Sequence, residues 1–548
     1  MEFKSITLNT RQSNDFELLT NGSFYPLTGF MNEIDYKSCL EEMNIKEGFF
    51  PIPITLCINE KQKNDLNGEC FVYLKNSNGL NLGLMDISDK HSIYKPDIEY
   101  ECKKVFGSYD DNHPYIKVLN QYINQGFIYN IGGKIIGNSK IPHHDFKDLR
   151  LTPLQTKKFF AKNNWKCIIG FQTRNPLHKS HFALIKYALD RIPGAKLLLH
   201  PVIGETQDCD IEYYKRIKCY KHILKYYDEN TVKLSLLPLS MRMAGPRECL
   251  LHALIRRNYG CTHFIVGRFH ASPSVKKEDG TDFFTPYEAQ KMFIKYHKDI
   301  GIIPIISKEI VYAIPLNETD ENKGSYVGID KVEKNHKVIN ISGTEMRNML
   351  LANKKIPEWF SFPEIINELQ VEKKGLCLYF VGLSGAGKTT LSNFTSEKLR
   401  EFTNRKITIL DGDEVRENLS KELGFSKEDR SLNIRRIGYV CSEIVKHGGI
   451  VLVANIAPYQ EDRDYNRRII SQYGDYIEIF VDAKLETCEK RDTKGLYKLA
   501  RKGVIKEFTG ISSAFEKPIN SEILLEDSNT IDQNINTIFE YLVKNVDI

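Results

Sequence analysis

Leu378-Tyr379-Phe380-Val381-Gly382-Leu383-Ser384-Gly385-Ala386-Gly387-Lys388-Thr389-Thr390 decides how the last third of this chain folds. Leu378 to Val381 is a short unbroken apolar run, the form of a parallel strand covered on both faces. Gly382 to Thr389 fits G-x-x-x-x-G-K-T, and Leu391 to Leu399 continues as a helix. Strand, glycine loop and helix in that order make a phosphate cradle. The glycines let backbone N–H groups curl around phosphate oxygens, the helix start adds positive potential, Lys388 supplies mobile charge, and Thr389 can ligate magnesium. The next strand, Ile407 to Leu410, ends in Asp411-Gly412-Asp413-Glu414-Val415-Arg416. One acid beside an accepting hydroxyl can orient it or take its proton, the role given to Asp413. Another of these acids can hold magnesium through water, and Arg416 can grip an anion on the acceptor in bidentate fashion.

At 548 residues the chain exceeds what one hydrophobic core serves, and an α/β multidomain architecture is expected. The charged stretch Glu372-Lys373-Lys374 separates Ile365 to Val371 from the strand at Leu376, so the last domain is placed at residues 372–548. Upstream, residues 165–371 show α/β grammar. Lys166 to Phe171, Lys196 to Leu199 and Thr262 to Val266 read as strands, and each runs into a polar motif, where open α/β sheets place their ligands. Residues 1–164 show short apolar runs, such as Pro51 to Cys57 and Cys70 to Leu74, broken by Gly, Asn, Asp and Pro, the pattern of a mainly β module with helical pieces.

Composition excludes several classes. With 76 Lys and Arg against 71 Asp and Glu, the net charge of +5 is too balanced for a general grip on nucleic acid, so anion recognition must be local. No apolar run approaches the roughly 18 residues of a spanning helix, no leader is visible at Met1 to Asn9, and the 12 cysteines contain no C-x-x-C pair. A cytoplasmic protein with reduced thiols, without nucleic-acid or membrane partners, is expected.

Gln172-Thr173-Arg174-Asn175-Pro176-Leu177-His178-Lys179-Ser180-His181 follows a strand and opens a helix. His178 and His181 at i, i+3 share one face at the helix's positive end. This suits an anion site, with Arg174 and the histidines stabilising charge as pyrophosphate leaves a phosphorus centre. Metal ligation is the rival reading, but no third ligand is near in sequence and Arg174 repels a cation.

From Leu376 to Ile548 the chain resembles adenylylsulfate kinase, through Gly382 to Thr390, Leu410 to Arg416, Leu423 to Gly438, Lys494 to Tyr497 and Phe508 to Ile511. The resemblance implies that Gly382, Ser384, Gly385, Ala386, Gly387, Lys388, Thr389 and Thr390 bind ATP. It implies that Asp413, Arg416, Phe425, Arg430, Asn433, Ile456, Ala457, Lys494, Phe508 and Thr509 bind adenylyl sulfate, with Phe425 stacking on adenine. Lys494 then neutralises phosphoryl charge, Thr389 and Asp411 hold magnesium, and Arg491 to Thr509 forms a lid. In some fungal enzymes with the same domain order this loop has decayed and the domain only regulates, whereas Gly387, Lys388 and Thr389 are intact here.

From Phe16 to Glu368 the chain resembles ATP sulfurylase, through Pro26 to Met31, Gln172 to His181, His200 to Gly204, Asp210 to Tyr214, Leu236 to Arg247, Asn258 to His270 and Ile341 to Arg347. The implied fold is a PUA-like N-terminal domain, a Rossmann-like nucleotidyltransferase domain with a small C-terminal subdomain, and the P-loop kinase domain. The implied catalytic residues are Thr173, Arg174, Asn175, His178 and His181, with Gln172, Arg174 and Ala271 on sulfate, and Gly267, Arg268, His270 and Val311 on ATP. Four positions depart from the family pattern: Phe269 stands for an acid, Gln207 for a lysine, Phe182 for an acid and Ala457 for a serine. Together the resemblances imply a homo-oligomeric enzyme that adenylylates sulfate and phosphorylates the product. Two alternatives are a relative that activates another oxyanion or uses another nucleotide, and a chain in which one domain has lapsed into regulation.

Overall fold

The strand Gly375–Val381 is buried at all seven positions. Leu376, Leu378 and Phe380 pack on one face, Cys377, Tyr379 and Val381 on the other. Such a run must lie inside a sheet with helices on both sides, and it does. In a computed structural model the described residues are 4–138, 141–207, 211, 213–341, 345–346, 349, 354, 356–370, 374–403, 405–492 and 495–546. The chain divides into two units, Met1–His143 with Lys147–Glu368, and His144–Phe146 with Leu369–Ile548.

In the second unit Gly375–Val381 is the middle strand of a five-stranded sheet, ordered Ile407–Asp411, Ile450–Asn455, Gly375–Val381, Gly474–Asp482 and Ile523–Glu526. All four pairings are parallel. The first strand of the domain is thus its central one, and the helix Lys388–Leu399 follows it after the glycine loop. Glu372 and Lys373 of the expected hinge lie outside the described residues.

The first unit repeats this arrangement. Its parallel sheet runs Val232–Leu234, Lys196–Leu199, Ile168–Phe171, His263–Val266 and Ile303–Ile306. Again the first strand is central, and the order reverses between Ile168–Phe171 and His263–Val266, the position at which open α/β sheets form a ligand crevice. A three-stranded antiparallel sheet, Ser325–Gly328, Ile310–Pro315 and His336–Ile339, forms a smaller element whose Tyr312 and Ile314 pack with Trp359 and Phe360.

The N-terminal part holds a five-stranded sheet of Ser5–Thr7, Phe71–Lys75, Asn81–Asp86, Gly133–Asn138 and Gly29–Phe30, with a second sheet of Leu56–Ile58, Tyr129–Ile131 and Ile93–Tyr94. Helices such as Thr10–Thr20, started by a capping box between Asn9 and Gln12, close over it. The apolar run at Pro51 becomes a strand only from Leu56. Pro51 and Pro53 lack the N–H that a ladder needs, and Ile52 and Ile54 are buried without strand pairing.

Candidate active sites

In the second unit a cleft of about 820 Å3 opens where the parallel strands end. Gly385 (φ 74°) and Gly387 (φ 101°) take left-handed backbone conformations that a side chain disfavours, and these let the loop curl before Lys388 starts its helix. Lys388 is buried and donates from Nζ to the carbonyl of Leu383 at 2.7 Å, so its charge lies folded into the loop. Thr389 donates from Oγ1 to Asp411 Oδ2 at 2.7 Å. Asp411 Oδ1 accepts from the Asp413 N–H at 3.0 Å and caps the helix Gly412–Leu419, which fixes Asp413 at the cleft. Ser384, Ala386 and Thr390 line the same cleft, while Gly382 is packed so that a Cβ would meet the Val481 carbonyl at 2.6 Å.

The acceptor side is built from the helix Lys427–Lys446, whose Arg430 and Asn433 face the cleft. Arg430 donates to the Phe425 carbonyl at 2.7 Å, the Thr509 hydroxyl at 2.6 Å and the Glu507 carbonyl at 2.6 Å. It therefore ties the loop before its helix to the segment around Phe508. Arg416 stacks on the Phe425 ring, 4.1 Å from its centroid, and donates to the carbonyls of Leu423 and Gly424. Phe425 is 57% exposed, a ring displayed at the cleft mouth. Ile456 and Ala457 line the cleft, Ala457 at a left-handed φ of 41° and accepting from Arg463 at 2.6 Å.

Two contacts escaped sequence reasoning. Tyr497 donates from its hydroxyl to the Ser384 carbonyl at 2.8 Å, and Arg491 pairs with Asp527 at 2.6 Å, so the segment expected to be a lid is pinned to the glycine loop and to the turn after the last strand. Asp527, Asn529 and Asn534 also line the cleft. Their only signal was position after a strand end. Lys494 lies outside the described residues, as do parts of Asp210 to Tyr214 and Ile341 to Arg347.

In the first unit two loops meet across the sheet's reversal. Arg174 donates from Nη2 to Ser274 Oγ at 3.2 Å, joining the loop after Ile168–Phe171 to the loop after His263–Val266. Thr173 Oγ1 accepts from the Asn175 N–H at 3.1 Å and donates to its carbonyl at 3.0 Å. Arg216 and Tyr220 donate to the carbonyls of Arg174 and Asn175 at 2.6 and 2.8 Å and hold this loop from behind. Neither was singled out by sequence. Gln172 donates to Met241 Sδ at 3.7 Å.

His178 occupies the N-cap position of the helix Lys179–Arg191, without a capping hydrogen bond from its side chain. Its ring lies 4.0 Å from that of His181, is stacked on Phe360 at 4.9 Å, and has Nδ1 2.7 Å from the Ser180 hydroxyl. Burial pushes both imidazoles down, His181 to about 4 and His178 well below the ordinary value, the latter also through its neighbour. At neutral pH they are N–H donors rather than cations.

Gly267 to Ala271 forms the facing loop, with Phe269 (φ 51°) and Ala271 (φ 56°) in left-handed backbone around His270. Arg268 pairs with Glu309 at 3.0 Å, which brings this loop beside the strand carrying Val311. Of the departures, Gln207 accepts from the Ser274 N–H at 3.2 Å, Phe269 lies under Arg268 at 5.3 Å, and Phe182 joins Tyr227 and Phe362 at 4.9 and 5.6 Å in an aromatic cluster.

Comparison with known proteins bears on both sites. Residues 147–372 match the ATP-sulfurylase family, 374–526 the adenylylsulphate kinase family, and 1–139 the PUA-like domain. Over 548 residues the chain is 38% identical to a sulfate adenylyltransferase of Gibberella zeae, covering 98% of this chain and 92% of that one. The chain belongs to the ATP-sulfurylase family. It joins an ATP-sulfurylase domain to an adenylylsulphate kinase domain, as the family matches show. A sulfate adenylyltransferase of Aspergillus oryzae is 39% identical over 98% of this chain and 92% of its own. Among solved structures, a hexameric APS kinase from Thiobacillus denitrificans superposes with a TM-score of 0.55 at 28% identity, covering 100% of this chain and 94% of that one. The first unit described above is thus the PUA-like and sulfurylase part, the second the kinase. Among the described residues no helix is long and apolar enough to cross a membrane.

Proposed function

We propose that this enzyme activates sulfate in two steps, forming adenylyl sulfate and pyrophosphate from ATP and sulfate in the first unit and 3′-phosphoadenylyl sulfate in the second. The observation that carries this reading is that one chain holds two polar loops, each leaving the central strand of a five-stranded parallel sheet. Arg174 is tied to Ser274 across one sheet's reversal, and Thr389 to Asp411 beside the other's glycine loop.

In the first step a sulfate oxygen attacks the α-phosphorus and the bond to the β-phosphate oxygen breaks, releasing pyrophosphate. Sulfate has no proton to lose at neutral pH, so the site needs countercharge and positioning, not a base. Gln172, Arg174 and Ala271 take the sulfate. Thr173 and Asn175 shape the loop, His178 and His181 donate to the charge building on phosphorus, and Gly267, Arg268, His270 and Val311 receive the nucleotide.

In the second step the 3′-hydroxyl attacks the γ-phosphorus, its proton passes to Asp413, and ADP leaves. The loop from Gly382 to Thr390 holds the phosphates and Lys388 swings to them from Leu383. Arg416, Phe425, Arg430, Asn433, Ile456, Ala457, Phe508 and Thr509 shape the acceptor pocket, and the resemblance gives Lys494 the role of neutralising phosphoryl charge. The adjoining oxygens of Thr389 and Asp411 are the pair that would hold a magnesium ion arriving with ATP. When bound, the ion neutralises charge on the phosphate oxygens. Removing product makes chemical sense of the fusion, because the phosphosulfate anhydride forms uphill. A cytoplasmic homo-oligomer completes the reading.

The test is purified chain with ATP, magnesium and labelled sulfate. Accumulation of labelled 3′-phosphoadenylyl sulfate is expected; adenylyl sulfate alone rejects an active kinase, and no labelled nucleotide rejects the whole reading.

A further inference from the structure

Behind the Gly267 to Ala271 loop lies a histidine that no motif singles out. His252 stands on the helix Gly245–Asn258 and is 0% exposed. Its Nδ1 is 3.1 Å from Nε2 of His270, with the two rings edge to face. Its Nε2 is buried without a hydrogen-bond partner among the described residues, and Glu248 Oε1 lies 3.7 Å away, one turn back. Glu248 is itself buried, its two oxygens accepting from the N–H groups of Arg242 and Ala244 at 2.9 Å.

Two ring nitrogens 3.1 Å apart form a hydrogen bond only when one carries the proton and the other a lone pair. Burial holds both rings neutral, His270 at about 3 and His252 well below the ordinary value, with Arg256 disfavouring charge on each. Burial raises the Glu248 carboxyl above its ordinary value while the N–H groups of Arg242 and Ala244 pull it back toward the charged form, and its Oε1, 3.7 Å from His252 Nε2, favours the tautomer with the proton on that nitrogen. His252 Nδ1 then keeps its lone pair and accepts, His270 donates from Nε2, and His270 Nδ1 is left as an acceptor, since the bond made by one ring nitrogen sets the state of the other. The left-handed backbone on both sides of His270 is a conformation that only its surroundings can maintain.

We propose that His252, backed by Glu248, is a positioning residue for adenylyl transfer: it fixes His270 in the tautomer that offers a lone pair to a hydroxyl or amine of the nucleotide and rejects a phosphate oxygen. This rests on the reading of His270 as a nucleotide contact.

The test uses the full chain, sulfate at saturation, ATP varied and pyrophosphate release as readout, for His252→Leu, His252→Asn, His252→Gln and His270→Ala. An asparagine amide reaches the place of Nδ1 and a glutamine amide that of Nε2. His252→Leu is expected to raise the KM for ATP about tenfold, the worth of one well-placed hydrogen bond, with kcat and the KM for sulfate nearly unchanged. His252→Asn should recover most of the loss and His252→Gln should not. The proposal is overturned if His252→Leu is silent while His270→Ala raises the KM, if leucine and asparagine lose equally, or if the KM for sulfate rises alongside. A silent His270→Ala removes the nucleotide-contact reading and the proposal with it.

Discussion

The loops after Gly375–Val381 and after Ile168–Phe171 both leave the central strand of a five-stranded parallel sheet, and both lead into a helix. In the reading proposed above they would meet phosphate by different means. The kinase loop is a backbone cradle, with glycines in left-handed conformations and one lysine in reserve. The sulfurylase loop relies on side chains, an arginine braced across the sheet's reversal and two imidazoles that burial keeps neutral. Both sites would hold ATP beside a second anion: the kinase would grip the phosphate chain by backbone and the acceptor through arginines, whereas the sulfurylase brings a free anion against the α-phosphate, where neutral N–H groups add donors without fixing surplus charge.

Breaking one loop should leave the other working. Lys388→Ala is expected to lower 3′-phosphorylation by about a thousandfold, as loss of a phosphoryl clamp does, while pyrophosphate release from ATP and sulfate continues; product chromatography with labelled sulfate separates the two. His178→Leu should do the reverse, cutting adenylyl sulfate formation about a hundredfold and leaving phosphorylation of supplied adenylyl sulfate intact.

A packing change sharpens the contrast without touching chemistry. A Cβ at Gly438 would meet Asn466 Oδ1 at 1.9 Å, and Asn466 is fully buried and donates to the Ile434 carbonyl at 3.0 Å. Gly438→Ala should cost the kinase unit about 2 kcal/mol, a fall of roughly 4 to 8 °C in its melting transition, with the sulfurylase transition unmoved in calorimetry.

The smallest effect concerns acid. His178 and His181 bind protons more readily unfolded than folded, so the stability tied to their neutral state is complete above the ordinary value of 6.5 and is lost as pH falls toward about 4. Urea midpoints measured at pH 7.5 and 5 should therefore drop further for the first unit than for the second. An equal drop would remove the claim that neutral imidazoles distinguish the sites.

The same contrast explains what the sequence made legible. The glycine cradle is a local pattern, strand, loop and helix within about twenty residues, and its strands lie within a residue or three of their expected ends. His178 and His181 were visible as a pair because their spacing is helical. What holds their loop was not visible. Arg216 and Tyr220 come from the helix Tyr213–Ile223, and Ser274 from beyond another strand, so only the folded sheet brings them to Arg174 and Asn175. The apolar run from Pro51 to Cys57 pairs as a strand only from Leu56, because Pro51 and Pro53 lack the N–H that a ladder needs.

The most direct test of two self-sufficient sites in one chain is complementation. Lys388→Ala and His178→Leu chains, each unable to make 3′-phosphoadenylyl sulfate from sulfate alone, are mixed with ATP, magnesium and labelled sulfate. The account predicts that the mixture makes labelled 3′-phosphoadenylyl sulfate through released adenylyl sulfate. A mixture as inactive as its parts, from chains that each retain their remaining half-reaction, would contradict it.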